Sequence, residues 1–188
     1  MMLSKKLMDL LFYPLYEKII VNFLTMANHY IDLYEELVNN EINLANISNS
    51  DHILHIGCGA LPATSILLVK KVGSSVVAIE KDNKSCRKAI RYLIYRDLVD
   101  KIQIKNKDVL SLDCSLETYT VIIISRGVAK TETLLEYIHS NIKPGTRVIL
   151  RIPSTHGKKY KNIISNIFLE KGSVTSYGTT TSVLLLSK

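Results

Sequence analysis

The sequence predicts an α/β fold: a mostly parallel, seven-stranded sheet with a terminal antiparallel hairpin, preceded by a short helical N-terminal segment. Three observations predict it. From residue 52 onward, short β-rich runs alternate with runs of helical periodicity, the texture of parallel βαβ units. The final stretch "KGSVTSYGTTTSVLLLSK" reads as two strands around Gly178, a hairpin. Residues 3–47 carry apolar side chains at helical spacing, and no glycine precedes Gly57.

The elements follow in order. Pro14 marks a break between a short helix and a longer helical region, because proline removes a backbone donor and crowds the preceding turn. The polar cluster "NISNSD" (46–51) closes that prelude. This divides the chain into a helical segment, 1–50, and an α/β domain, 51–188. "HILHI" (52–56) is a short strand and "ATSILLVKKV" (63–72) a helix. "SSVVAIE" (74–80) is a second strand, ending in an acid. Asp82 opens the helix "DNKSCRKAIRYLIYRDLV" (82–99), where an acid suits the positive end of the helix dipole. "KIQIKN" (101–106) and "YTVIIIS" (119–125) are strands three and four, the latter apolar enough to be buried on both faces. A helix over 131–142, the turn Pro144-Gly145, a strand over 146–152 and a helix over 158–169 lead to the hairpin.

Composition sets bounds on function. The chain has 188 residues, 47% hydrophobic and 22% charged, which suits one soluble globular domain. Its formal charge of +7 comes from scattered lysines and arginines without a basic run, the pattern of a solvated surface. Cys58, Cys86 and Cys114 are odd in number and lack zinc-ligand spacing, so reduced thiols in a cytoplasmic protein and no metal site are expected. The apolar N-terminus is interrupted by Asp9, Pro14, Glu17 and Lys18. It is neither a signal peptide nor the ~18-residue apolar run of a membrane helix, and no membrane partner is expected.

In a parallel α/β sheet, ligands bind beyond the carboxyl ends of the strands, where strand order reverses. The first strand presents Gly57-Cys58-Gly59, and glycine lets the backbone turn sharply and approach a ligand. The second presents Glu80, Lys81 and Asp82. Glu80 follows Gly57 by 23 residues, near the spacing at which an acid accepts hydrogen bonds from ribose hydroxyls. The alternative is that Glu80 caps the next helix. After the third strand, Asp108 and Val109 are placed to hold an adenine amino group and ring. Ser125 and Arg126 face the same rim from the fourth strand. A dinucleotide needs a third glycine where this chain has Leu61-Pro62, and proline subtracts a donor, so a phosphate is a poor guest. A ribose and adenine without phosphate fit better, as in S-adenosyl-L-methionine.

The order of glycine turn, acid, Asp and hairpin over residues 52–188 is similar to that of the Rossmann-like class I S-adenosylmethionine-dependent methyltransferase-fold superfamily. Within it, "GCGALPATSILL" resembles the G-x-G-x-[LF]-P-x-T stretch of the nicotianamine synthase family, with Leu61, Pro62 and Thr64 matching. "LRIPSTHGKKY" (150–160) resembles that family's strand-five segment and "TTTSVLLLSK" its terminal strand. "YEELVNNEINLANI" (34–47) resembles the helix before the first strand, with Tyr34 and Glu41 matching a family Tyr and Glu.

The resemblance implies transfer of the 3-amino-3-carboxypropyl arm of S-adenosylmethionine, as co-substrate, to a small-molecule amine or amino-acid acceptor. Methylthioadenosine is released, and the product is a metal-chelating metabolite, which places the chain in metallophore biosynthesis. A sulfonium has three carbons open to in-line attack, so positioning decides which one reacts. The acceptor amine must be neutral, which calls for a proton acceptor or orienting group nearby. Tyr30, Tyr34, Leu37 and Glu41 share one helical stripe. The resemblance makes Tyr34 and Glu41 catalytic and Tyr30 substrate-binding; the plainer reading is that the stripe packs the helix on the sheet. Arg151 and His156 either face a carboxylate or form a solvated strand end. His29, His52, His55 and His139 have no assignment. Family members carry a longer helical domain before the sheet, including a catalytic glutamate. This chain has about fifty residues there, with Glu17, Glu35 and Glu36 the nearest candidates, so its acceptor pocket is expected to be smaller, differently closed, or completed by a second subunit of a homodimer. Competing readings are a small-molecule methyltransferase and a catalytically inactive S-adenosylmethionine-binding protein. Nucleic acid is disfavoured, because "SRG" replaces the Asn/Asp-Pro-Pro-aromatic loop that holds a flipped base.

Overall fold

A computed structural model describes residues 24–111, 115–155 and 164–187. Helices α1 (Leu24–Asp32) and α2 (Glu35–Ala45) precede β1 (Ile53–Ile56), α3 (Ala63–Val72), β2 (Val76–Glu80), α4 (Asn83–Tyr95) and β3 (Ile102–Asn106). Two short 3₁₀ turns, Val109–Ser111 and Leu116–Thr118, lead to β4 (Val121–Ile124), α5 (Thr131–Asn141), β5 (Arg147–Pro153), β6 (Phe168–Ser176) and β7 (Thr180–Ser187). The expected break at Pro14 lies outside the described residues.

The strands form one sheet in the order β3-β2-β1-β4-β5-β7-β6. The first five run parallel, and β7 is antiparallel to both β5 and β6. Chain order reverses between β1 and β4, which pair in register from Ile53↔Val121 to Ile56↔Ile124. Both strands are buried along their whole length, as apolar runs covered on both faces require. Alternation divides the core into two layers. Ile53, Ile123, Ile149 and Leu184 face α1, α2 and α3, while Leu54, Ile122, Ile124, Val148, Leu150 and Leu185 face α5.

The N-terminal helices share that first layer: Ala27, Tyr30, Ile31, Val38, Ala45 and Ile47 pack with Ile66, Leu68 and the strands. The single long helical region expected up to residue 47 is two helices. Leu33 N–H still donates to the His29 carbonyl (3.1 Å), but Tyr34 N–H donates to Ile31 (2.9 Å), a tighter turn. The kink lets α1 lie against α3 while α2 runs over β6 and β5. Gly172, at the bulge in β6, marks this approach: a Cβ there would stand 3.3 Å from Leu44 Cδ1 of α2. The expected helix over 158–169 is helical at 164–167 and already strand at Phe168, which pairs with Ser187; residues 158–163 lie outside the described part. No described helix is long and apolar enough to cross a membrane.

Candidate active site

The crevice above β1 and β4 begins with the glycine turn. Gly57 (φ +79°) and Gly59 (φ +70°) both adopt the left-handed conformation that disfavours a Cβ. The N–H groups of Gly57 and Cys58 donate to the Ile79 carbonyl at 2.9 and 3.2 Å, folding the turn over the end of β2. The Cys58 thiol is buried and donates to the Gly59 carbonyl at 3.6 Å. A Cβ on Gly57 would stand 2.8 Å from Val128 Cγ2 and 3.4 Å from Ser125 Cβ, so this turn is pressed against the loop after β4. Gly57→Ala is therefore expected to cost about 1–2 kcal/mol from its backbone conformation alone, with the Val128 clash in addition. Thermal denaturation checks the stability loss.

Leu61 is buried, and Pro62 stands at the N-cap of α3 with its carbonyl accepting from Ile66 N–H (3.0 Å). The helix entry is thus shaped by proline and apolar packing rather than by a capping side chain. Thr64, in the first turn of α3, accepts a hydrogen bond on its hydroxyl oxygen from Arg151 Nη1 (3.0 Å).

Glu80 at the end of β2 is half-buried and accepts two backbone hydrogen bonds. Gly59 N–H donates to Oε2 (3.0 Å) and Asp82 N–H to Oε1 (2.9 Å). A carboxylate has about four acceptor sites, so Glu80 braces the glycine turn and retains capacity for ribose hydroxyls. Helix capping falls to Asp82, whose Oδ2 accepts from Ser85 N–H (2.9 Å) and Oγ–H (2.6 Å). Asp82→Ala should lower stability by about 1 kcal/mol in chemical denaturation. The ends of β2 and β3 are tied by Asn106, whose amide donates to the Glu80 and Lys81 carbonyls at 2.9 and 3.0 Å. The Lys81 side chain is exposed. Asp108 is exposed and accepts from Leu110 N–H (3.0 Å), with Val109 buried beneath it.

At the end of β4, Ser125 N–H donates to the Ile56 carbonyl (3.0 Å), and its hydroxyl lies 2.8 Å from His55 Nε2. His55 Nδ1 lies 2.9 Å from the Ser65 hydroxyl of α3. Burial, reinforced by the positive charge of Arg151, pushes the His55 imidazole down to about 3, so the ring is neutral at working pH. Arg126 is half-buried and donates to Thr180 Oγ1 at 3.3 Å.

Between α2 and the sheet lies a buried polar core. Glu41 is 0% exposed and Arg151 is 5% exposed. Arg151 Nε donates to Glu41 Oε1 (2.7 Å) and Nη2 to Oε2 (2.6 Å), a bidentate pair, and Ser182 Oγ–H adds a third bond to Oε1 (2.6 Å). Burial alone would lower the Arg151 pKa. The Glu41 carboxylate outweighs it, with smaller help from Tyr34 and Tyr30, and holds the guanidinium above its ordinary value. The Tyr30 and Tyr34 hydroxyls lie 3.0 Å apart, with ring centroids 5.1 Å apart. The C-terminus of α2 has its own anchor: Arg147 Nη1 donates to the carbonyls of Ala45 (2.7 Å) and Asn46 (2.9 Å), and Nη2 pairs with Asp51. Arg147 and Arg151 share one face of β5. One strand therefore fixes α2 at two points.

The structure thus brings Tyr30, Tyr34, Glu41, Thr64 and Arg151 into one cluster, close to His55. Gly57, Cys58, Gly59, Leu61, Pro62 and Glu80 form the turn beside it. The carboxylate that Arg151 meets is this chain's own Glu41. Asp82, Lys81, Asp108 and Arg126 lie on the rim, and His156 lies outside the described residues. The sequence leaves His55 without an assigned role and does not single out Ser65, Asn106 or Ser182. Only His55 left a signal, as a polar side chain inside an otherwise apolar strand.

A parallel sheet in this strand order, with a glycine turn after β1 and an acid after β2, defines the Rossmann-like fold of class I S-adenosylmethionine-dependent methyltransferases. A putative S-adenosyl-L-methionine-dependent methyltransferase from Methanococcus maripaludis superposes with a TM-score of 0.74 at 17% identity, over 92% of this chain and 91% of that one. More narrowly, the chain belongs to the nicotianamine synthase family: the family described as nicotianamine synthase protein matches residues 21–177. The structure of MtNAS in complex with MTA and tNA is similar, with a TM-score of 0.73 and 22% identity over 92% of this chain and 68% of that one. An L-histidine 2-aminobutanoyltransferase from Yersinia pestis is 26% identical over 147 residues, 76% of this chain. The chain spans about half, 49%, of the length of that relative.

Proposed function

We propose that this protein transfers the 3-amino-3-carboxypropyl group of S-adenosylmethionine to a small amine or amino-acid acceptor. Family membership over residues 21–177 carries the reading, together with a polar cluster that sits beside the glycine turn. S-adenosylmethionine supplies an activated sulfonium: the acceptor nitrogen attacks the arm's terminal carbon, that C–S bond breaks, and methylthioadenosine leaves with the electron pair.

The chain's residues bind and orient. Asp108 and Val109 face the adenine, and Glu80 accepts from the ribose hydroxyls with the acceptor capacity left after its two backbone bonds. The left-handed Gly57 and Gly59 bring backbone close to the sulfonium end without a Cβ. Tyr34, half-buried beside Tyr30, orients the acceptor amine at the mouth of the site. Glu41 works through Arg151, because taking a proton would mean giving up a buried bidentate pair. The buried thiols of Cys58 and Cys86 suit a reducing, cytoplasmic setting, and an acceptor carrying an added amino-acid arm would be a chelator, the kind of product metallophore biosynthesis makes.

The test is incubation with S-adenosylmethionine and a panel of amino acids and small amines, followed by mass detection. Methylthioadenosine together with an acceptor heavier by the aminocarboxypropyl group is expected. S-adenosylhomocysteine with a methylated acceptor would replace this reading with methyl transfer. Tight binding with neither product would make the chain a binding protein.

A further inference from the structure

The relay Ser65–His55–Ser125 links α3 to the ends of β1 and β4, on one face of the sheet, where strand order reverses. His55 is 2% exposed on β1, and Ser65 on α3 is 0% exposed. Their bond at 2.9 Å fixes one ring nitrogen, and the other meets the Ser125 hydroxyl at 2.8 Å. A neutral imidazole has one N–H and one lone pair, so one serine must donate to the ring and the other must accept from it. In either tautomer the Ser125 oxygen is tied to the ring, and its remaining hydrogen-bonding capacity is directed away from it. Ser125 itself is half-buried at the carboxyl end of β4, beside Gly57.

Strand order places this hydroxyl along the ligand. In the proposed site adenine and ribose lie over β3 and β2, the strands carrying Asp108 and Glu80 at their ends, and β1 and β4 come next in the sheet. The part of the co-substrate beyond the sulfur extends towards them. We propose that His55 is a positioning residue that fixes the Ser125 hydroxyl against the α-amino-acid end of S-adenosylmethionine, the end whose placement selects the carbon that moves. This rests on the proposed S-adenosylmethionine site. His55 touches no ligand; it acts through Ser125.

The test uses calorimetric titration of the full chain with S-adenosylmethionine and with methylthioadenosine, which lacks the amino-acid arm. Ser125→Ala should weaken S-adenosylmethionine roughly tenfold, the scale of a hydrogen bond to a charged group, and leave methylthioadenosine unchanged. His55→Leu should show the same selective loss, and in the Ser125→Ala background it should add nothing further. His55→Gln sets its amide near the position of Nε2 and should recover affinity, whereas His55→Asn reaches only the Nδ1 position and should not. That difference keeps the inference falsifiable if His55→Leu fails to fold. Equal loss of both ligands in the His55 variants, or full additivity with Ser125→Ala, would show a merely structural histidine and overturn the proposal. If the wild-type protein binds S-adenosylmethionine while every variant matches it, this inference alone falls. If the wild-type protein binds neither ligand, the site reading falls and takes the inference with it.

Discussion

Glu41→Ala should lower the unfolding free energy by about 3–5 kcal/mol, because it strands the Arg151 guanidinium inside the protein without its counter-charge. The pair is buried on both sides, so water cannot screen the loss, unlike the exposed Lys71–Glu35 pair on the surface. Glu41→Gln keeps the shape but not the charge, and should fall between alanine and wild type. The informative control is the double variant Glu41→Leu, Arg151→Met. Removing both charges together leaves no orphan and should regain much of the stability. The proposed transfer activity should not return with it, because Thr64 and α2 no longer share a partner on β5. Urea denaturation measures the first quantity and product formation the second. A stable double variant with full activity would show that the pair is scaffolding without a role in the site.

Acid should destabilise this protein well above the pH at which carboxylates protonate. His55 titrates near 3 in the folded state, against about 6.5 when unfolded. Between those values the unfolded chain binds a proton that the folded chain refuses, so stability rises with pH across the window. The contribution is fully present above pH ~6.5 and is lost as pH falls towards 3, at up to about 1.4 kcal/mol per pH unit and up to about 5 kcal/mol in total. Asp51 works in the same direction at lower pH. Burial pushes its carboxyl up, but hydrogen bonds from Thr120 and Ser48 and the charge of Arg147 outweigh that and leave it depressed. Its contribution is therefore lost only as pH falls below ~4. The window from pH 4.5 to 6.5 isolates the histidine. There the stability difference between wild type and His55→Gln should shrink as pH falls, because only the wild type carries this proton linkage. A difference independent of pH would mean that the ring protonates freely in the folded state.

Much of the scaffold was legible because it is written locally. Short apolar, β-branched runs gave five parallel strands at the expected places, and Gly178 marked the hairpin turn between β6 and β7. Gly57, Gly59 and the acid at residue 80 fall where a βαβ unit must turn and present a ligand-facing edge. Asp82 was readable as a helix start, and its bonds to Ser85 show it capping α4. The kink at Leu33–Tyr34 was not legible, since no proline or glycine sits there and the turn is imposed by two different packing surfaces. The boundary at Phe168 was missed for a similar reason: pairing with Ser187 overrides a locally helical pattern.

The site divides along the same line. By itself the sequence determined the strand alternation, the glycine turn, the acid after β2 and the family, because each depends on residues within a few positions of one another or on short stretches in a fixed order. Only the tertiary structure decided that Arg151 spends its fork on Glu41, 110 positions away, and that His55 reaches Ser125, 70 positions away. Such pairs leave no local pattern. They exist because burial strips water from a charge or an imidazole, and the fold must then supply a partner from whichever strand or helix happens to lie beside it.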